Sequence, residues 1–431
     1  MKKTASSLAI AAMALSTCIG SAAASSPHGR TPQTTAQAKP MSPARANLAP
    51  PALPVTGASL LLRGAETPLW SSHGNAELAI ASTTKMMTAL VVLQHVTKLN
   101  TVFTQTDWRA APADSQIGLI PGERMTVHDL LVALLLPSAD DAAEDLAYNV
   151  GGGSVTRFVA MMNADARTLG LDHTHYSTPI GLDTTGNYSS PDDLVRLADY
   201  MMRHWPFFRA TVGLSSAVLR SGHYVRHIVN TDDLVGKYRW IHGVKTGHTL
   251  EAGYVLVAQG RRDGFTLLAS VLGTASEAAR DSSALALLDW GFSEFRAVRP
   301  VRTGERFARK PVPYEVAPAL IVAAHGYRTV VARGARVRLL VGRLRKLHEP
   351  MAKGTVLGHL SVVIGGRRAV RIPLVLARRL PAVSLLKKLG HFVKQPFTLL
   401  VLALLLVGAA AALVRRRRRP RVVALRRVEE R

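Results

Sequence analysis

The sequence predicts an α+β domain, followed by a small all-β domain and a single membrane-spanning helix near the C-terminus. Residues 53–297 alternate short apolar runs with longer helical patterns, as mixed helices and strands do. Residues 298–380 carry β-branched runs separated by glycines and show no helical pattern. Residues 397–414 are uncharged and, at about 1.5 Å per residue, extend ~27 Å, close to the ~30 Å core of a bilayer.

The individual elements follow from the spacing of apolar residues. Helical spacing occurs in KMMTALVVLQHV, VHDLLVALLL, SVTRFVAMMNADARTLG, PDDLVRLADYMMRH and SSALALLDWGF. Strands are predicted in ASLLLRG, HYVRHIVN and GYVLVAQGRRDGFTLLASVLG, and in the later region in YRTVVARGARVRLLV and LSVVIGGRRAVRIPLVLA. No internal repeat interrupts this order.

The N-terminal segment has the layout of a secretory signal peptide, residues 1–24. A lysine pair precedes an apolar stretch at 8–19, and three alanines at 22–24 form a cleavage site. Residues 25–52 are rich in Pro, Ser, Thr and Ala, which predicts a disordered linker. Cys18 is the only cysteine, which excludes an intrachain disulfide. Because LSTC loosely resembles a lipobox, lipidation of Cys18 is the alternative to ordinary cleavage.

The net charge of +25 is distributed in a way that argues against nucleic acid as a partner. Arginines are concentrated directly after the apolar stretch, the other basic residues are scattered, and aromatic residues make up only 6% of the chain. Attraction to anionic lipid or an anionic cell-wall polymer fits better. By the positive-inside rule, the basic tail 415–431 is cytoplasmic, and residues 381–396 form a juxtamembrane segment. We therefore expect a single-pass protein of the cell membrane whose folded domains lie on its outer face.

Three short motifs combine a hydroxyl group with a charged side chain: STTK at 82–85, SAD at 138–140 and KTG at 245–247. Residues i and i+3 share a face of a helix, so Lys85 is expected to lie against Ser82. A serine–lysine enzyme needs a nucleophile, a neutral amine, a proton relay and a fixed cation for an anionic substrate. The three motifs in this order supply all four. A second Ser-x-x-Lys, at 384–387, adjoins the apolar stretch and is a poor catalytic candidate.

With these motifs the chain resembles the D-alanyl-D-alanine carboxypeptidases, the low-molecular-mass penicillin-binding proteins. The likeness extends to PGERMTVHDLLVALLLPSADDAAEDLA, FVAMMNADARTLGLDHTHYSTPIGLD and VKTGHTLEAGY, and it covers residues 53–380. It implies a transpeptidase/β-lactamase-like catalytic domain at 53–297 that removes the terminal D-Ala from peptidoglycan stem peptides ending in D-Ala-D-Ala. It further implies a serine acyl-enzyme, covalent inhibition by β-lactams, and neither a metal nor an organic cofactor.

The resemblance also implies a role for each motif residue. Ser82 would attack the carbonyl, Lys85 would be its general base, and Ser138 would relay the proton to the departing D-Ala. Lys85 must then be neutral near pH 7, and burial beside Lys245 would lower its pKa. The backbone N–H groups of Ser82 and His248 would form the oxyanion hole. The residues expected to bind substrate are Asp140, Lys245, Thr246, Gly247, His248 and Arg280.

Asp140 departs from the Ser-x-Asn pattern of the family. An asparagine amide can donate a hydrogen bond, whereas an ionised carboxylate only accepts. A carboxylate would also favour protonated Lys85, so Asp140 is expected to be protonated, to pair with Lys245, or to weaken the activity. A weakly active or non-catalytic peptidoglycan-binding regulator, a D,D-endopeptidase and a β-lactamase remain alternatives. The β-lactamase is disfavoured because LGLDHTHYSTPIGLDTTGNYSS holds no glutamate to activate water.

Overall fold

The computed structural model describes residues 49–111, 114–313, 315, 317–385, 390, 392 and 395–417. The predicted signal peptide with Cys18, nearly all of the predicted linker and most of the predicted basic tail lie outside the described residues. The predicted juxtamembrane segment is described only in part.

Helices occur in all five segments where helical spacing predicts them. The helices are a 3-10 helix at Ala81–Thr84, α1 Lys85–His95, α2 Val127–Leu135, α3 Asp140–Val150, α4 Val155–Thr168, α5 Pro191–His204, α6 Pro206–Val212, the short α7 Leu234–Lys237, α8 Glu277–Glu294 and α9 Pro396–Arg417. Helix α3 is not among the predicted helices, because acidic side chains occupy four of its buried positions.

Strands occur in every segment where the sequence predicts them. They are β1 Gly57–Leu62, β2 Trp70–Ser72, β3 Val102–Thr104, β4 Arg124–Thr126, β5 Ser216–Leu219, β6 Arg226–Val229, β7 Ile241–Thr249, β8 Gly253–Arg262, β9 Phe265–Thr274, β10 Phe295–Val301, β11 Arg306–Lys310, β12 Ala319–Ala323, β13 Tyr327–Ala332, β14 Val337–Val341, β15 Val356–Ile364 and β16 Arg367–Leu376.

The larger core is built on an antiparallel sheet with the strand order β2-β1-β9-β8-β7. Ser270 of β9 donates a hydrogen bond to the carbonyl of Pro191, the first residue of α5. Leu60 of β1, which is paired with Ala269, packs against Gly291 of α8 instead. Successive side chains of a strand point to opposite faces, so α5 and α8 cover opposite faces of the sheet. This explains why β1 is buried at every residue and is apolar except for Ser59.

A second hydrophobic core lies in the sheet with the strand order β11-β12-β16-β15-β14, also antiparallel. The pair β10–β13 connects it to the first core. Phe295, at one end of β10, is buried in the first core, whereas Val301, at the other end, is buried in the second. The domain boundary predicted at residue 297 lies within this strand.

Helix α9 is long and apolar enough to cross a membrane, by length and composition, over Pro396–Arg416. Its most apolar stretch is not buried against any other part of the described chain. It includes the predicted span at 397–414 and is compatible with membrane anchoring.

Candidate active site

Ser82 lies in the 3-10 helix directly before α1, rather than at the start of the α-helix itself. Side chains at i and i+3 eclipse one another in a 3-10 helix, which places Lys85 Nζ 2.7 Å from Ser82 Oγ. Ala81, just before Ser82, has a φ of 47°, a left-handed conformation that is uncommon for a residue with a Cβ atom. The serine is half-buried and the lysine fully buried, so the amine meets the hydroxyl away from bulk solvent.

The Lys85 amine is the centre of the cluster. Besides Ser82, its Nζ lies 3.3 Å from Ser138 Oγ and 2.6 Å from Asp140 Oδ1. Ser138 has a φ of 66° just before α3, and a backbone held in this region stores strain of about 1–3 kcal/mol. Asp140 begins α3, and its backbone N–H donates to the carbonyl of Ser115 at 2.7 Å. The first and second motifs therefore meet at one amine.

Burial dominates the electrostatics of this amine and its carboxylate partner. Burial lowers the pKa of Lys85, and the nearby Asp140 opposes this shift. Burial raises the pKa of Asp140, and Lys85 opposes that shift in turn. Burial therefore favours the neutral form of both groups, whose Nζ and Oδ1 atoms lie 2.6 Å apart. Of the three alternatives for Asp140, the structure does not show an ion pair with Lys245: the carboxylate contacts Lys85, and Lys245 acts on it through its charge.

The third motif lies on β7, the edge strand of the larger sheet, which packs against the 3-10 helix. Lys245 is buried, and burial together with the charge of Lys85 lowers its pKa to about 7. Thr246 Oγ1 lies 2.7 Å from the hydroxyl of Thr231. These side chains place a second amine and a hydroxyl beside the Ser82 cluster.

Gly247 is required by the close approach of β7 to the nucleophile. A Cβ atom at this position would lie 2.8 Å from the backbone nitrogen of Ser82 and 2.9 Å from Ala81 Cβ. Only glycine allows two backbones to come this near. The next residue, His248, is exposed, and its ring centroid lies 4.0 Å from that of Tyr254.

Arg280 is the sequence candidate least closely joined to the others. It is buried near the start of α8, and it donates hydrogen bonds to Asp281 at 2.8 Å and to Glu277 at 2.9 Å. Among the described residues, no hydrogen bond links it to the Ser82 cluster, but its positive charge contributes to the lowered pKa of Lys245. Arg280 therefore acts on the site through its positive charge, which lowers the pKa of Lys245, and not through a hydrogen bond.

Sequence reasoning missed two carboxylates that belong to this electrostatic network. Asp232 is buried, which raises its pKa to about 7, while Arg280 opposes that shift and the Asp232 charge acts on Lys245. Asp114 acts on both Lys85 and Asp140. Only the polar run NTDD directly after β6 could have drawn attention to Asp232, and no pattern distinguishes Asp114.

The arrangement has the parts that acyl transfer requires. They are a hydroxyl nucleophile, an amine whose pKa is lowered, a second hydroxyl within reach of that amine, and a cation along an open strand edge. Within the described part of the chain, no group of three or more His, Cys, Asp or Glu side chains could hold a metal ion.

Comparisons with known proteins agree with this chemistry. The sequence profile of a family described as D-alanyl-D-alanine carboxypeptidase matches residues 61–276. D-alanyl-D-alanine carboxypeptidase DacA of Escherichia coli strain K12 is 30% identical over 332 residues, which cover 74% of this chain and 81% of that protein.

Solved structures give the same result. Penicillin binding protein 5 from Haemophilus influenzae is similar with a TM-score of 0.60 at 25% identity, covering 78% of this chain and 99% of that one. The Streptomyces K15 DD-transpeptidase is similar with a TM-score of 0.53 at 34% identity, covering 57% of this chain and all of that one. The protein is a serine-type hydrolase, and the chain belongs to the D-alanyl-D-alanine carboxypeptidase family.

Proposed function

We propose that Ser82 and Lys85 carry out the carboxypeptidase reaction, the release of the terminal D-Ala from peptidoglycan stem peptides. The observation that carries this proposal is the 2.7 Å contact between Lys85 Nζ and Ser82 Oγ, made by a fully buried amine. A lysine acts as a general base only in its neutral form, and burial favours that form.

The reaction begins when Lys85 takes the hydroxyl proton and Ser82 Oγ bonds to the carbonyl carbon between the two terminal D-alanines. Ser138, 3.3 Å from the same amine, passes the proton to the nitrogen of the departing D-Ala as the peptide bond breaks. Water then hydrolyses the Ser82 ester and regenerates the hydroxyl. The backbone N–H groups of Ser82 and His248 stabilise the oxyanion in both halves of the reaction.

The substrate lies along the open edge of β7. Lys245 and Thr246 hold its terminal carboxylate, and Gly247 leaves the space that the peptide backbone occupies. Arg280 adds positive potential without contact. Asp140 occupies the place of an amide donor, so it can donate to the substrate only while it carries the proton that it shares with Lys85.

β-Lactams acylate the same serine, since their strained amide takes the place of the scissile bond. The family comparison supports this inhibitor class, and it favours the carboxypeptidase over a β-lactamase or a non-catalytic regulator. Cleavage of crosslinks by a D,D-endopeptidase would use the same residues on a longer substrate.

Helix α9 anchors the chain in the cell membrane, with both folded domains on the outer face and the arginine-rich end in the cytoplasm. The length and composition of α9 support the anchor, and the charge at its end supports the orientation. The larger domain at 53–297 carries the chemistry, and the β domain at 298–380 lies between it and the membrane.

The test uses the full chain in neutral detergent and measures D-Ala release from a Lys-D-Ala-D-Ala peptide, together with the mass gained on incubation with penicillin. Ser82→Ala is expected to abolish both signals. Ser384→Ala, in the second Ser-x-x-Lys sequence, is the matched control and is expected to retain both. Release or labelling that survives Ser82→Ala would overturn the assignment of the nucleophile.

A further inference from the structure

The outer face of the C-terminal sheet carries a basic cleft of about 250 Å³. The cleft is remote in sequence from the three motifs and is formed by β15, β16 and the segment directly after β14. The residues that line it are Gly342, Arg343, His359, Ser361, Arg368 and Arg371. We refer to these six residues as the basic cleft.

The strand register brings its side chains to one face. Ser361 of β15 is paired with Arg371 of β16, and Val363 is paired with Arg368. The intervening residues of β15, Leu360 and Val362, are fully buried in the second core. Since side chains alternate along a strand, Ser361, Arg368 and Arg371 point away from that core into solvent.

The positive charge of the cleft has no carboxylate partner. Residues 335–348 and 358–376 contain no Asp or Glu, and none of the three cleft arginines makes an ion pair within the described residues. Arg371 donates instead to His359 Nδ1 at 3.3 Å. A guanidinium only donates, so His359 Nδ1 accepts, and its Nε2 atom carries a proton that it can donate. The cleft is therefore lined by donors and by uncompensated cations.

This set of groups fits a phosphate ester. Arginine forks match the oxygens of phosphate bidentately, and a serine hydroxyl and an imidazole N–H complete the ring of donors. A volume of about 250 Å³ admits a phosphodiester with its glycerol carbons.

The neighbouring edge strand favours a lipid as the source of that phosphate. On β14, Leu340 is paired with Ser361 and therefore lies on the same face as the cleft, where it is 55% exposed. An exposed apolar side chain beside a cationic cleft matches the boundary between headgroups and acyl chains. Leu380 is bonded to Met351 by an antiparallel bridge, so the chain stays attached to the β domain up to Leu380. The apolar helix begins at Pro396. At ~3.6 Å per residue or less, this connection keeps the sheet within about 58 Å of the end of that helix.

We propose that the basic cleft binds the phosphodiester headgroup of an anionic membrane lipid, so that the C-terminal sheet rests on the bilayer. The proposal rests on the anchoring by α9 proposed above. It is independent of the Ser82 chemistry, so the two can fail separately.

The test measures lipid retention by the full chain in neutral detergent. Native mass spectrometry counts the phosphatidylglycerol and phosphatidylcholine molecules that stay bound at rising lipid concentration. The cleft variant is Arg343→Gln, Arg368→Gln, Arg371→Gln. The matched control, Arg296→Gln, Arg299→Gln, Arg302→Gln, removes the same charge from exposed arginines on and beside β10. A second arm offers a soluble poly(glycerol phosphate) to the same proteins.

The wild type and the control are expected to retain phosphatidylglycerol in preference to phosphatidylcholine. The cleft variant should bind phosphatidylglycerol more weakly, by on the order of a hundredfold, while it releases D-Ala at the wild-type rate. Equal retention by the cleft variant, or an equal loss in the control, would overturn the proposal. Tighter binding of the soluble polymer than of the lipid would also overturn it, and would identify a wall polymer as the ligand.

Discussion

Asp140 places a titrating carboxylate in contact with Lys85, the proposed general base, which acts as a base only when it is neutral. The contact of 2.6 Å with Lys85 means that the pair, and not either group alone, gains and loses the proton. The carboxylate opposes the effect of burial on the Lys85 pKa. The free enzyme is therefore expected to reach its active protonation state at a higher pH than it would with an uncharged side chain at this position.

The substitution Asp140→Asn tests this effect. Removing the carboxylate takes away the main influence that raises the Lys85 pKa, so more of the amine is neutral at a given pH. The acidic limb of the kcat/KM profile should move to lower pH, and activity below neutral pH should rise several-fold. The measurement is D-Ala release across the pH range.

Glu144→Gln is the control for that experiment. Glu144 is another buried acid on α3, where burial and the charge of Asp140 raise its pKa to about 7. Lys85 contacts Ser82, Ser138 and Asp140 but not Glu144, so Glu144→Gln should leave the acidic limb of the kcat/KM profile at its wild-type pH. An unchanged limb in Asp140→Asn, or the same movement in both variants, would show that the carboxylate does not control the base.

At the scale of single residues, the sequence predicts contacts between residues close along the chain better than contacts between residues that only the fold brings together. Ser82 and Lys85 are three residues apart across the junction of the 3-10 helix and α1, so their contact follows from local geometry. The pairing of Asp140 with Lys85 depends on the entry of the chain into α3 at Ser138, which no local pattern specifies. Asp232 joins the network only through the position of β7.

Among the elements, the contact between β7 and the 3-10 helix sets the width of the site. Gly247→Ala would place a methyl group 2.8 Å from the Ser82 backbone nitrogen, where strand and helix have to separate. We expect the rate of acylation by penicillin to fall by at least about 100-fold, since small displacements of reacting groups have effects of this size. Stopped-flow measurement with a fluorescent penicillin gives the rate.

Gly213→Ala provides the comparison for that variant. A methyl group at Gly213 would meet its nearest atoms at 3.7 and 3.8 Å, which is ordinary contact. Its acylation rate should match the wild type. If Gly247→Ala acylates as quickly as Gly213→Ala, the site does not require the close approach.

A buried ion pair fixes the loop that leads to the site. Arg226 of β6 bonds both carboxylate oxygens of Glu123, at 2.9 and 3.0 Å, and donates to the Ile117 carbonyl. The same loop supplies the Ser115 carbonyl that accepts from the Asp140 backbone. Burial would raise the pKa of Glu123, but the hydrogen bonds from Arg226 and from backbone N–H groups outweigh it and lower the pKa.

Glu123→Gln should therefore destabilise the protein by about 3–5 kcal/mol, because it leaves the Arg226 charge buried and unpaired. Denaturant unfolding at pH 7 measures this loss. A carboxyl whose pKa is lowered on folding stabilises above its unfolded pKa, ordinarily 4.5, and less as the pH falls through the lowered value. The difference between wild type and variant should then shrink in acid.

Asp289→Asn is the matched control for that variant, since it removes the carboxylate of an exposed ion pair with Arg262. We expect a loss of at most about 1 kcal/mol. Equal losses for the two substitutions would contradict the assigned importance of burial.

Elements whose apolar residues recur with helical or strand spacing were predicted correctly. Helix α3 was not predicted, because acidic residues occupy several of its buried positions. Four acidic residues of α3 point into the protein, where they cap loop N–H groups, pair with Lys85 or have a raised pKa. A pattern method counts such positions as solvent-facing. For this reason the sequence pattern does not predict α3, although α3 brings Asp140 to the Lys85 amine.

For the whole molecule, the presence of two separate cores predicts that the larger one can function alone. All of the Streptomyces K15 DD-transpeptidase corresponds to only 57% of this chain, so a relative exists without the second domain. A chain of residues 49–297 should release D-Ala within about tenfold of a chain of residues 49–385. It should melt a few degrees lower, because Phe295 loses its pairing with Ala332 of β13.

Peptide hydrolysis and thermal unfolding of the two chains measure these effects. Wild-type secondary structure in the shorter chain, combined with complete loss of penicillin labelling, would contradict the prediction and give the β domain a part in the chemistry.

The position of β1 in the larger sheet has a consequence for how the chain is made. Gly57–Leu62 lies between β2 and Phe265–Thr274, so its main partner strand is synthesised more than two hundred residues later. Contacts of such long sequence separation form slowly. Until β9 emerges, an apolar strand that is buried at every residue in the finished sheet has an open edge, which is prone to aggregate. A chaperone that holds extended chains is therefore expected to accompany this protein from the ribosome until the sheet closes.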